Sequence, residues 1–148
     1  RYKELDRMEW VRMDVLKLDL ADNTFDLIID KGTVDSLLCG SNSFHNVYQM
    51  NKQMSRVLHK GGRVVTITYG QPDTRIDHFR RKKLHLEVEH KTVDKPVFSS
   101  DASPTSSYHV YVMTKTEEGG TGADGEGSDD DDEEDDDFYD KFQANAAA

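Results

Sequence analysis

Residues 13–38, MDVLKLDLADNTFDLIIDKGTVDSLL, read as the tail of one strand, a turn, a second and buried strand, and a short helix. Leu27, Ile28 and Ile29 are consecutive aliphatics, and such a run suits a parallel strand covered on both faces, where an alternating pattern would suit a half-exposed one. Ala21, Asp22, Asn23 and Thr24 supply turn chemistry, short polar side chains that bond their own backbone. Gly32 breaks the strand, and Thr33 is placed to cap a helix running through Leu38. Asp14 and Asp30 stand where the two strands run out. In an open parallel α/β sheet the carboxyl ends of strands are where ligands bind.

Outward from this stretch the chain completes a sheet. On the amino-terminal side, residues 1–8 carry Tyr2, Leu5 and Met8 at helical spacing and read as the last two turns of a helix. Residues 9–15 alternate as a strand, with Val11, Met13 and Val15 on one side. On the carboxyl side, Ser43 is an N-cap candidate, and Val47, Met50, Met54, Val57 and Leu58 follow the apolar stripe of an amphipathic helix. Burying that stripe contributes on the order of 10 kcal/mol as an upper bound. Gly61 is expected to end the helix in the left-handed region. Residues 63–69, RVVTITY, form a β-branched strand. Gln71, Pro72 and Asp73 open a short helix or turn through Arg81. Residues 84–93 alternate, with Leu84, Leu86 and Val88 inward, and 108–114 give a last strand. Strands alternating with helices and closing on a strand pair predict an α/β fold, a parallel sheet with an antiparallel ending.

The chain has 148 residues and a net charge of −10, but the charge is unevenly spread. From Glu117 onward there are fourteen acidic residues and one lysine, Lys141, which leaves residues 1–116 at about +3. Residues 116–148, rich in Gly, Glu and Asp, are expected to be a disordered acidic tail. Cys39 is the only cysteine, which excludes an intramolecular disulfide and fits a reducing, cytoplasmic setting. No apolar run reaches the roughly 20 residues of a membrane span.

Three stretches, in order, carry a family resemblance: MDVLKLDLADNTFDLIID, MSRVLHKGGRVV and the closing YHVYVMTK. Together they resemble the second half of the class I S-adenosylmethionine-dependent methyltransferases, over roughly residues 1–115. DKGTVDSLL is further similar to the group that includes lysine methyltransferases of translation elongation factor 1-alpha. The resemblance implies a Rossmann-like sheet whose first two strands, with their glycine-rich loop, are absent here, so residues 1–115 are expected to be a partial methyltransferase domain and the chain an N-terminally truncated fragment. It implies S-adenosyl-L-methionine as cofactor and a protein lysine as methyl acceptor, with elongation factor 1-alpha as the candidate substrate. It places Asp14 and Val15 at the cofactor's adenine end, where a carboxylate can accept from the exocyclic amine, and Lys31 by its methionine portion. Asp30 would face the same cleft and orient the incoming amine. No catalytic base is assigned, because methyl transfer from a sulfonium depends mostly on alignment.

Each of these residues also has a plainer reading: Asp14 as a turn residue, Lys31 as a solvated lysine, and Gly61-Gly62 as a helix stop. Gly120, Gly122 and Gly125 satisfy G-x-G-x-x-G, but the acidic run that follows cannot form the helix the fingerprint needs. The six histidines lack metal-ligand spacing. Arg80, Arg81, Lys82 and Lys83 are basic without interleaved aromatics, which argues against nucleic acid; they are a possible dock for the acidic tail. The alternatives to a methyltransferase are another nucleotide-dependent Rossmann-type enzyme, or a non-catalytic interaction protein whose acidic tail binds a basic partner.

Overall fold

A computed structural model describes residues 6–95 and 107–117. It contains strand β1 (Phe25–Lys31), helix α1 (Thr33–Leu38), helix α2 (Ser43–Val57) and strand β2 (Leu58–Thr68). Helix α3 (Pro72–Phe79), a single 3-10 turn (Lys82–Leu84), strand β3 (Leu86–Asp94) and strand β4 (Ser107–Lys115) follow. The sheet order is β1-β2-β4-β3, with β1 parallel to β2 and the other two pairings antiparallel. The expected α/β architecture, a parallel pair followed by an antiparallel ending, is the one observed. The acidic stretch from 118 onward, the G-x-G-x-x-G match within it and the serine-rich loop at 96–106 lie outside the described residues.

One face of the sheet is packed by the helices. The apolar stripe of α2 is buried as its spacing predicts: Val47, Met50, Met54, Val57 and then Leu58 have almost no exposure. All but Val57 join one core cluster with Val64 from β2, Tyr111 and Met113 from β4, and Phe79 from α3. The polar side of α2 is also used. Asn51 Nδ2 donates to the His78 carbonyl at 3.0 Å, and Ser55 Oγ donates to the Leu84 carbonyl at 2.7 Å. Such buried side-chain bonds satisfy the backbone where α3 and the 3-10 turn end.

Four local expectations are corrected. Residues 9–15 form no strand; the only ladder element nearby is an isolated bridge between Asp14 and Lys17. The sequence alternates correctly, but a strand needs a neighbour for its N–H and C=O groups, and none lies beside it among the described residues, so Trp10 is left 70% exposed. Of the expected amino-terminal helix, residues 1–5 lie outside the described residues and 6–7 form a turn. The N-caps of the two helices fall one residue earlier than expected, at Gly32 (φ 79°) and Asn42 (φ 54°), neither with a side-chain cap bond. Finally, α2 stops at Val57, because Leu58 is already extended (ψ 142°).

Gly61 does adopt the left-handed conformation (φ 78°), but inside β2. Phe25 pairs with Leu58 whereas Leu27 pairs with Arg63, so residues 59–62 bulge out of the ladder. At Gly62 a Cβ would lie 2.8 Å from the His59 carbonyl oxygen and 3.1 Å from that of Phe25. The glycine pair therefore shapes a bulge that brings β2 against β1.

Candidate functional site

An open cleft of about 310 Å³ runs along β1 from Phe25 to Asp30, between the strand, the segment before it and α2, at the lower end of the size range for small-molecule sites. Its walls come from Val15, Leu18 and Leu20 on the incoming segment, Ile28 and Asp30 on β1, and Met50 and Met54 on α2. The incoming segment is held in place by α2. Arg56 donates to the Leu18 carbonyl at 2.8 Å and the Leu20 carbonyl at 2.7 Å, and pairs with the Asp22 carboxylate. Gln53 Oε1 accepts from the Leu18 N–H at 3.3 Å. These two α2 residues shape the cavity wall and carried no functional signal in the sequence, where they read as the polar face of a helix.

Asp30 is the polar feature of the cavity. It is 6% exposed, and its Oδ1 accepts from the Thr33 N–H at 3.2 Å, which ties the first turn of α1 to the end of β1. Its Oδ2 is buried and has no hydrogen-bond partner among the described residues. A buried acceptor left unmade is costly, and a ligand N–H would satisfy it.

The other sequence-derived residues are distributed around this cavity rather than all within it. Val15 lines it. Asp14 is exposed, and its Oδ1 accepts from the Leu16 N–H at 2.9 Å in a tight turn. Lys31 is exposed at the end of β1, with Nζ 6.0 Å from the centre of the Tyr108 ring.

A second cluster braces the same edge of the sheet. Asp35 in α1 accepts from Thr68 Oγ1, from Arg75 Nη2 at 3.1 Å and from the Tyr69 N–H at 3.3 Å. Burial alone would raise the Asp35 pKa, but the bonds from Thr68, Arg75 and the Tyr69 backbone outweigh it and hold the carboxyl below its ordinary range. Gly70 then donates to Thr68 Oγ1 at 3.0 Å, and its carbonyl accepts from the Tyr111 hydroxyl at 3.0 Å. The ends of β1, β2 and β4 are fixed together by this set. Among the described residues no group of three or more His, Cys, Asp or Glu side chains is placed to hold a metal ion. No helix among them is long and apolar enough to cross a membrane.

In open α/β sheets ligands bind beyond the carboxyl ends of the parallel strands, and Asp30 and Thr33 of the cleft stand at that end of β1. Residues 1–66 match the methyltransferase domain family. Over these residues the chain is similar to a methyltransferase domain. It is 31% identical over 123 residues to EEF1A lysine methyltransferase 4 of Mus musculus, covering 78% of this chain and 45% of that protein. The chain thus spans about half the length of the curated relatives it matches. Among solved structures, it is similar to the putative methyltransferase bound to the Haloferax volcanii Trm112 activator (TM-score 0.55, 15% identity, covering 78% of this chain and 65% of that one). The N-methyltransferase NodS of Bradyrhizobium japonicum, solved with S-adenosyl-L-homocysteine, matches with a TM-score of 0.53 and 17% identity, covering 73% of this chain and 54% of that one. These structural likenesses extend the agreement to the fold.

Proposed function

We propose that this chain contributes one side of a methyltransferase active site that binds S-adenosyl-L-methionine and transfers its methyl group to a protein lysine, with elongation factor 1-alpha as the candidate substrate. The observation that carries the reading is the cleft along β1, with the unpartnered Asp30 Oδ2 in its wall. An apolar cleft with one buried acceptor suits a ligand of apolar body that presents an N–H to Asp30. The relatives named as EEF1A lysine methyltransferases support the choice of acceptor.

When bound, the cofactor supplies an activated methyl group on a sulfonium. The residues of this chain bind and orient. Val15 and Met50 would contact the cofactor's apolar surface, Asp14 would accept from its adenine end on release of the Leu16 N–H, and Lys31 would stand at the methionine end. Asp30 holds α1 against β1 through Oδ1 and keeps Oδ2 for the ligand. Lining up a neutral amine with the methyl carbon then supplies most of the rate. The cytoplasm is the setting in which this substrate and the lone Cys39 thiol are both accommodated.

Binding of S-adenosyl-L-homocysteine to the complete protein by calorimetry tests the site. Asp14→Ala and Asp30→Asn are each expected to weaken binding by about five- to fifty-fold, the effect of losing one hydrogen bond to a charged group. Unaltered affinity in both variants would refute the assignment.

A further inference from the structure

Tyr69 immediately follows β2, and Tyr108 lies near the start of β4, at the same edge of the sheet as Lys31 and Asp30. Their ring centres are 5.5 Å apart with planes inclined by 45°. Tyr69 is 62% exposed, so the pair forms an open aromatic surface at the ligand-binding edge. The chain's own Lys95, just past β3, sits over both rings, with Nζ 4.8 Å from the centre of Tyr69 and 5.0 Å from that of Tyr108. Lys31 Nζ approaches the Tyr108 ring from the β1 side. One ammonium within reach of two ring faces is a specific arrangement, because the negative faces of both rings converge on one point.

The surface is also fixed in place. The Tyr69 N–H is bonded to Asp35, which is itself tied to Thr68 and Arg75. A side-chain hydrogen bond to Tyr108 pushes the Tyr69 phenol up from its ordinary pKa. Alternation along the strands puts Lys31, Tyr69, Tyr108 and Lys95 on the sheet face opposite α1–α3, since Asp30, Thr68 and Tyr111 point toward the helices.

We propose that Tyr69 and Tyr108 form a cation seat for a lysine side chain of the protein substrate, which Lys95 fills until substrate displaces it. The proposal rests on the protein-lysine reading above and names the residues that select the acceptor. The seat holds the charged form, anchoring and selecting a lysine; the ammonium gives its proton to water before its lone pair forms the N–CH3 bond, and the S–CH3 bond breaks to leave a neutral thioether. A methylated lysine keeps its positive charge, so the same surface accepts substrate and product.

Two measurements on the complete protein test this. In steady-state methyl transfer to elongation factor 1-alpha, Tyr69→Leu/Tyr108→Leu is expected to raise KM for the protein substrate about five- to thirty-fold, the equivalent of two exposed cation–π contacts. Tyr69→Phe/Tyr108→Phe, which keeps the rings, should restore it, and Lys95→Ala should lower KM by removing the competitor. An unchanged KM in the leucine variant overturns the seat. The second measurement does not depend on catalysis. Titration with tetramethylammonium should shift the Tyr69 and Tyr108 ring resonances, more tightly in Lys95→Ala than in wild type. If no methyl transfer is found, that shift still supports the seat and the failure falls on the acceptor reading; no shift in either form overturns the seat.

Discussion

His78 carries a large electrostatic cost for its position. It is buried in α3 beside Phe44, and burial, with Arg75 and Arg81 nearby, lowers its pKa from 6.5 to about 4. The folded state therefore refuses a proton that the unfolded chain takes up across this window. Stability should fall as pH drops from 6.5 toward 4, by roughly 3 kcal/mol over the full interval. Denaturant unfolding at several pH values measures the slope, and His78→Gln should flatten it. Lys115 shows the opposite solution, a buried charge fully engaged. At 2% exposure, its Nζ donates to the Leu58 carbonyl at 2.7 Å and to Asn23 Oδ1 at 2.9 Å, tying β4 to the turn before β1 and to the start of β2. Lys115→Met should cost about 2–3 kcal/mol in the same assay, since it leaves both acceptors buried and unmade.

At the scale of elements, the glycine pair and α2 control how β1 meets the cavity. Gly62→Ala forces a Cβ onto two carbonyl oxygens and should destabilise by about 2 kcal/mol or more, whereas Gly61→Ala should cost about 1 kcal/mol through its left-handed backbone alone. Thermal unfolding of the two variants separates them. Arg56→Ala should release the 18–22 wall, and limited proteolysis is expected to cut there first. The elements themselves were legible where periodicity was long. The α2 stripe and the β-branched run of β2 needed only spacing to locate, and α1 was delimited by Gly32. What was not legible depended on partners. Residues 9–15 alternate like a strand and yet form none, because strand propensity is satisfied only by a neighbour. Gly61 was recognisable as left-handed, but whether it ended a helix or bent a strand was decided by the β1 register. Of the candidate site, Asp30 was recognisable from a strand end, and Val15 entered through the family resemblance alone. Gln53, Arg56, Tyr69 and Tyr108 were not, since their roles arise from contacts across more than thirty positions of sequence.

Across the whole molecule, the helices cover one face of the sheet and leave the other with apolar side chains. Leu27 and Ile29 on β1, an edge strand, are 52% and 67% exposed. An apolar strand edge of this kind invites pairing with another chain. Leu27→Lys/Ile29→Lys should reduce light scattering of the protein at high concentration, while the α2-packed core keeps its unfolding transition. The carboxyl ends of β1 and β2 carry Asp30 on the helix-packed face and Lys31 and Tyr69 on the other, and the proposed function makes this end of the sheet the place of methyl transfer to a protein lysine. Mass spectrometry of elongation factor 1-alpha after incubation with the complete protein and S-adenosyl-L-methionine tests that claim most directly. Methyl groups on a lysine with wild type, and at least a tenfold slower appearance with Asp30→Asn, are the predicted result; no methylated lysine at any enzyme concentration, from a protein that binds S-adenosyl-L-homocysteine, would contradict it.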